Sequence, residues 1–186
     1  IGFILSIIGL IFLINKGLQN FNLTYFMSLL IYGLSLSTMY IASTLYHNSK
    51  TANSRYNLRM FDMISIYILI AGSYTPFTLI LLKDNQGWLL FSIIWLLALF
   101  GIVWKVFTVG KYNLVTTSLY IFMGGLWLFF YESFVNQIPS DALWWITAGC
   151  LTYLAGVIFY LLDNKLKYNH FIWHLFVLAA SGCHYI

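Results

Sequence analysis

Charge is what this sequence has least of. Only 8% of its 186 residues are Asp, Glu, Lys or Arg, against about 25% in a typical soluble domain. With a mean hydropathy of +0.85, such a chain cannot cover a water-facing surface, so its solvent is lipid. Cysteine is also scarce. Cys150 and Cys183 both lie in apolar runs, which excludes a disulfide framework or a zinc knuckle and reads as two small buried hydrophobes. No soluble domain, low-complexity segment, long linker or evident repeat interrupts the apolar runs. The net charge of +4 forms no basic stripe. The basic residues fall in short loops between apolar runs, which excludes a nucleic-acid partner. Short alternating segments are absent as well, which excludes a membrane β-barrel. No basic start followed by a small-residue cleavage site is visible.

What is present is a series of uncharged runs of the length a membrane helix needs, roughly 20 residues. Seven spans are predicted, at about 1–15, 23–47, 62–82, 88–104, 112–131, 142–162 and 170–186. The expected architecture is an all-α integral membrane protein, a seven-transmembrane-helix bundle forming one domain over 1–186. The first run is short for a span, which predicts that residues precede Ile1. Pro76 inside the third span removes a backbone donor and predicts a kink. Gly124 and Gly125 in the fifth span would allow close helix approach. Trp88, Trp104, Trp144 and Trp145 fall near span ends, where interfacial aromatics sit. On one side the loops carry Lys50, Arg55, Arg59, Lys105, Lys111, Lys165 and Lys167; on the other only Lys16 and Lys83. The excess of basic residues predicts a cytoplasmic N-terminus and a C-terminus outside. Asp84, Glu132, Asp141 and Asp163 are expected in solvated loops.

The polar residues of the spans then meet at one depth. His47 ends the second span, Asp62 opens the third, and His170 and His174 open the seventh, all on the predicted cytoplasmic side. Taken singly each has a bland reading: a span-end histidine is an interfacial polar residue, and Asp62 at a span start is a charge facing the helix macrodipole. Their shared level is the informative feature. His170 and His174 are four apart and share a helix face, as do Ser43 and His47. Three imidazoles suit zinc, and three protein ligands leave a fourth position for water, the pattern of catalytic zinc. Asp62 could then orient the water and accept its proton, or ligate the ion or hold one of its ligands, and Ser43 could hydrogen-bond a developing oxyanion or the water. His184 lies ten residues past His174, about 15 Å along a helix. That is too far to share an ion, so it reads as a packed or outer-side polar residue.

The stretches "STLYHNS", "RMFDMISIYILIAGSYTPFTLI" and "NHFIWHLFVLAASGCHY" resemble the hemolysin III family. That family is the bacterial branch of the progestin and adipoQ receptor (PAQR) superfamily, which is grouped with alkaline ceramidases. The likeness runs from about Ile31 to the end. It implies a seven-helix bundle with zinc near the cytoplasmic face, held by His47, His170 and His174, with Asp62 near the bound water and Ser43 beside it. Many relatives have Asp-His where this chain has Asp62-Met63. Four functions follow as expectations. The first is zinc-dependent hydrolysis of a ceramide-like lipid amide that enters sideways between helices. The second is a non-enzymatic role in lipid sensing or membrane homeostasis with structural zinc. The third is cytolysis, which a chain without a soluble surface serves poorly. The fourth is transport, for which a mid-membrane ionisable pathway is wanting. The partners expected are membrane lipids.

Overall fold

In lipid a backbone N–H or C=O finds no water, so each apolar run must close its hydrogen bonds on itself as a helix. The computed structural model describes residues 2–20, 22–82, 85–109, 111–161 and 168–185, the side chain of His170 excepted. Among these residues all regular structure is helical. Helix α1 spans Gly2–Leu18, α2 Leu23–Asn48, and α3 Ala52–Pro76 with a π-helical turn at Phe77–Leu81. Helix α4 spans Asn85–Phe107 and α5 Asn113–Gly125, followed by a 3-10 turn at Leu126–Phe130 and α6 at Tyr131–Gln137. Helix α7 spans Ser140–Leu161 and α8 Asn169–Cys183. Five stretches are long and apolar enough to cross a membrane: Leu23–Asn48, Ala52–Leu81, Asn85–Phe107, Asn113–Gln137 and Ser140–Leu161. Helix α1 and the Phe171–Cys183 part of α8 are apolar but shorter.

Pro76 acts where expected. It has no N–H to give, and from Phe77 the ladder widens, with the Leu82 N–H bonding the Phe77 carbonyl five residues back at 3.1 Å. At Gly125 regular α geometry also lapses, into the 3-10 turn, consistent with the poor helix propensity of paired glycines. Three expectations need correction. Helix α3 begins at Ala52, not near Asp62; its first turns are polar enough to escape a hydropathy reading yet contain good helix formers. Lys105 is not in a loop but inside α4, with 0% of its surface exposed. Glu132 and Asp141 stand exposed in the first turns of α6 and α7 rather than in loops, which complements the positive end of each helix. Asp84 and Asp163 lie outside the described residues.

The chain divides into two compact units, Ile1–Met123 and Gly124–Ile186. In the first, α2 packs against both α1 and α3. Its interior hydroxyls are satisfied by carbonyls of their own helix: Ser28 on Thr24, Ser35 on Tyr32 and Ser37 on Gly33, at 2.7–2.9 Å. Small residues let the backbones approach, as in the contact of Gly72 on α3 with the Ser35 side chain. Two side-chain bonds tie neighbouring helices to α3: Trp95 Nε1–H to Thr75 Oγ1 at 3.2 Å, and Tyr120 Oη–H to the Met63 carbonyl at 2.7 Å. Outward, α4 presents Leu96, Leu99, Phe100 and Val103, all exposed, as a lipid-facing surface does.

The second unit is organised by α7 against α8. Phe159 stacks on Phe176 at 5.2 Å, Tyr160 packs on Trp173 at 5.4 Å, and Tyr153 and Ser181 share a hydroxyl hydrogen bond of 2.7 Å. The His184 ring fills the space left by Gly149 and lies 5.7 Å from the Tyr153 ring, so it is a packed residue. Cys150 and Cys183 are free thiols, each half-buried.

Candidate metal centre

Ser43, His47 and Asp62 belong to the first unit, and His170 and His174 to the second. The register of α2 on α3 follows from two contacts. The Arg55 guanidinium lies over the Tyr46 ring at 5.6 Å, and Gly72 abuts Ser35. Numbers rise along one helix as they fall along the other, so the pair is antiparallel. Interpolation between the two contacts puts Asp62 near the level of Ser43, about one and a half helical turns from His47.

Asp62 is therefore not a helix-start charge. It lies ten residues into α3, about 15 Å from the helix start, beyond the reach of the macrodipole's first turn. Its side chain is half-buried, Ser43 is buried and His47 is exposed. Each of Ser43, His47, Asp62 and His174 makes at least one hydrogen-bonding, ring or electrostatic contact; one is the packing of the His47 ring on Tyr46 at 5.0 Å. The turn that carries Asp62 is pinned from two directions. Ser65 Oγ–H bonds the Asp62 carbonyl at 2.7 Å, and Tyr120 bonds the next carbonyl along, that of Met63.

In the second unit, His170 lies in the first turn of α8, with its side chain outside the described residues. His174 follows one turn later and is half-buried. Among the described residues no group of three or more His, Cys, Asp or Glu side chains is gathered for one ion. The expected trio includes His170, whose side chain is not among them. Imidazole nitrogens and a carboxylate are donor types that zinc takes, and no thiolate is required.

One functional candidate was missed on the sequence. Lys105 looked like one more solvated loop cation because it follows directly on an apolar run. The signal that could have exposed it is the length of that run: the predicted span 88–104 falls short of the roughly 20 residues a membrane helix needs, so residues past Trp104 were candidates to extend it.

The comparisons with known proteins agree with these observations. The profile of the family described as Haemolysin-III related matches residues 1–185. The chain is 39% identical over 182 residues to "Hemolysin-3" of Bacillus cereus, covering 98% of this chain and 83% of that protein. It is 37% identical over 182 residues to "Hemolysin-3 homolog" of Bacillus subtilis (strain 168), covering 98% and 85%. It is 32% identical over 164 residues to the human "Monocyte to macrophage differentiation factor", covering 83% and 66%. No solved structure matches. The apolar helices and these matches together show that the chain is a multi-pass membrane protein belonging to the Haemolysin-III related family.

Proposed function

We propose that this protein is a zinc-dependent intramembrane hydrolase of lipid amides. In this reading it is a seven-span bundle with a cytoplasmic N-terminus, and His47, His170 and His174 hold the ion. Held there, zinc would polarise the amide carbonyl and bring the pKa of water to about 7. The chain's own residues do the rest. Asp62 takes a proton from the attacking water and delivers it to the leaving amine. The water oxygen adds to the carbonyl carbon, the carbon–nitrogen bond breaks, and a fatty acid and an amine are released. Ser43 donates its hydroxyl hydrogen to the oxyanion as charge develops. A ceramide-like substrate enters laterally from the bilayer, with its chains against the apolar outer faces.

The observation that carries this reading is the position of Asp62: a half-buried carboxylate inside a helix, near the level of Ser43. A carboxylate placed only to cap a helix would sit in the first turn. The test is zinc analysis of the purified protein, followed by fatty-acid release from a ceramide-like amide by the wild type and by His174→Ala. One zinc per chain with release, both lost in the variant, supports the reading. Zinc that raises the melting temperature with no lipid turned over would make the ion structural.

The name of the Hemolysin-3 relatives supplies a second reading, lysis of cells. The broad apolar exterior argues against delivery through water. Leakage from liposomes caused by the purified protein would favour it.

A further inference from the structure

The first unit contains a buried positive charge that the hydrolase reading does not use. Lys105, on α4, has no exposed surface. Its Nζ donates to Thr116 Oγ1 at 3.2 Å and to the Lys111 carbonyl at 3.5 Å. Both acceptors are uncharged, and among the described residues no carboxylate pairs with it. Lys105 lies in the last turn of α4, where the helix dipole is negative and favours a cation, but two neighbouring features add to the positive potential. Arg59 is close enough for its charge to act on Lys105. Thr116 lies in the first turn of α5, where the helix dipole is positive and the leading N–H groups have no acceptor within the helix. A buried charge is normally paired, and a lone intramembrane cation calls for a counter-charge.

Two further features point at the same place. The Tyr67 hydroxyl is fully enclosed, stands beside Thr116 and Tyr120, and has no hydrogen-bond partner among the described residues. It is a buried donor next to the Thr116 side chain that Lys105 also contacts. The chain also enters α5 through Tyr112, whose φ of 51° is left-handed, a conformation a bulky residue adopts at a cost and often at a functional site. That turn presents the Lys111 carbonyl to Lys105. At 3.5 Å this is the weaker of the two bonds and the one an incoming anion would replace.

We propose that Lys105, the first turn of α5, Arg59 and Tyr67 form a binding site for a phosphate group. The phosphate comes either from an anionic phospholipid headgroup or from free inorganic phosphate. Arg59 is half-buried and Lys111 exposed, so the site is reached from the ends of α3 and α4, where headgroups lie. It uses none of the residues assigned to the metal, so it stands whether or not the protein is a hydrolase.

The test uses the full chain in nanodiscs of zwitterionic phosphatidylcholine. Binding is read by native mass spectrometry and by thermal unfolding, with phosphatidylglycerol added in one arm and inorganic phosphate in the other. One phosphate-bearing species per chain is expected. Binding in the lipid arm alone identifies a headgroup, and binding in the phosphate arm identifies the free anion. Lys105→Met should weaken it by about tenfold or more, the loss of a charge-assisted hydrogen bond, whereas Lys50→Met, at an exposed lysine, should leave it unchanged. If Lys105→Met does not fold, Thr116→Val keeps the charge and should still weaken binding severalfold. No binding in either arm would overturn the proposal. So would wild-type affinity in Lys105→Met or Thr116→Val, or an equal loss in Lys50→Met.

Discussion

Replacing Gly101 with alanine tests the packing of the first unit at its tightest crossing. A Cβ there would lie 2.5 Å from Cζ and 2.7 Å from Cδ1 of Tyr67 and would also collide with Cε1. The ring has little room to retreat: it is 0% exposed and lies 4.5 Å from the Tyr120 ring. Overpacking of this kind costs about 1–3 kcal/mol, while alanine regains up to about 1 kcal/mol of helix propensity. Gly101→Ala is therefore expected to destabilise by about 1–2 kcal/mol net. In a Tyr67→Leu background the ring is gone and the same substitution should become neutral or stabilising, a coupling of about 1–3 kcal/mol. Gly182→Ala in α8, where nothing among the described residues lies within 4 Å, should stabilise slightly in either background. Unfolding free energies in bicelles measure all five variants. Equal effects of Gly101→Ala with and without the Tyr67 ring would refute the argument that ring and glycine are matched.

Three further outcomes are expected. Asp62→Asn should keep close to the wild-type zinc content while losing lipid-amide turnover by about 100-fold or more; loss of zinc with turnover would instead make Asp62 a ligand. Tyr153→Phe should destabilise the α7–α8 pair by about 0.5–1.5 kcal/mol, since it removes the 2.7 Å bond to Ser181, and Ser181→Ala in that background should cost little more. Single cysteines introduced at Lys50 and at Lys111 should be labelled from the cytoplasmic side by an impermeant maleimide; labelling from outside would reverse the orientation derived from the basic residues.

The membrane class and the helical runs were legible in the sequence because lipid imposes a one-dimensional rule. A backbone that meets no water must coil, and its side chains must be apolar over a fixed length. Five long spans and two shorter apolar helices follow from that rule, as does the disturbance at Pro76, where a donor is missing. The candidate residues Ser43, His47, Asp62, His170 and His174 were legible too, since polar groups stand out against an apolar run. Helix ends were not, because polar residues such as those of Ala52–Phe61 are as comfortable in a helix leaving the membrane as in a loop. Only the tertiary structure decided that Asp62 lies inside a helix at the level of Ser43, that Gly101 admits the Tyr67 ring, and that Lys105 is enclosed rather than solvated. Burial is a property of neighbouring helices, set by which faces meet and in what register, and no local pattern of residues encodes it.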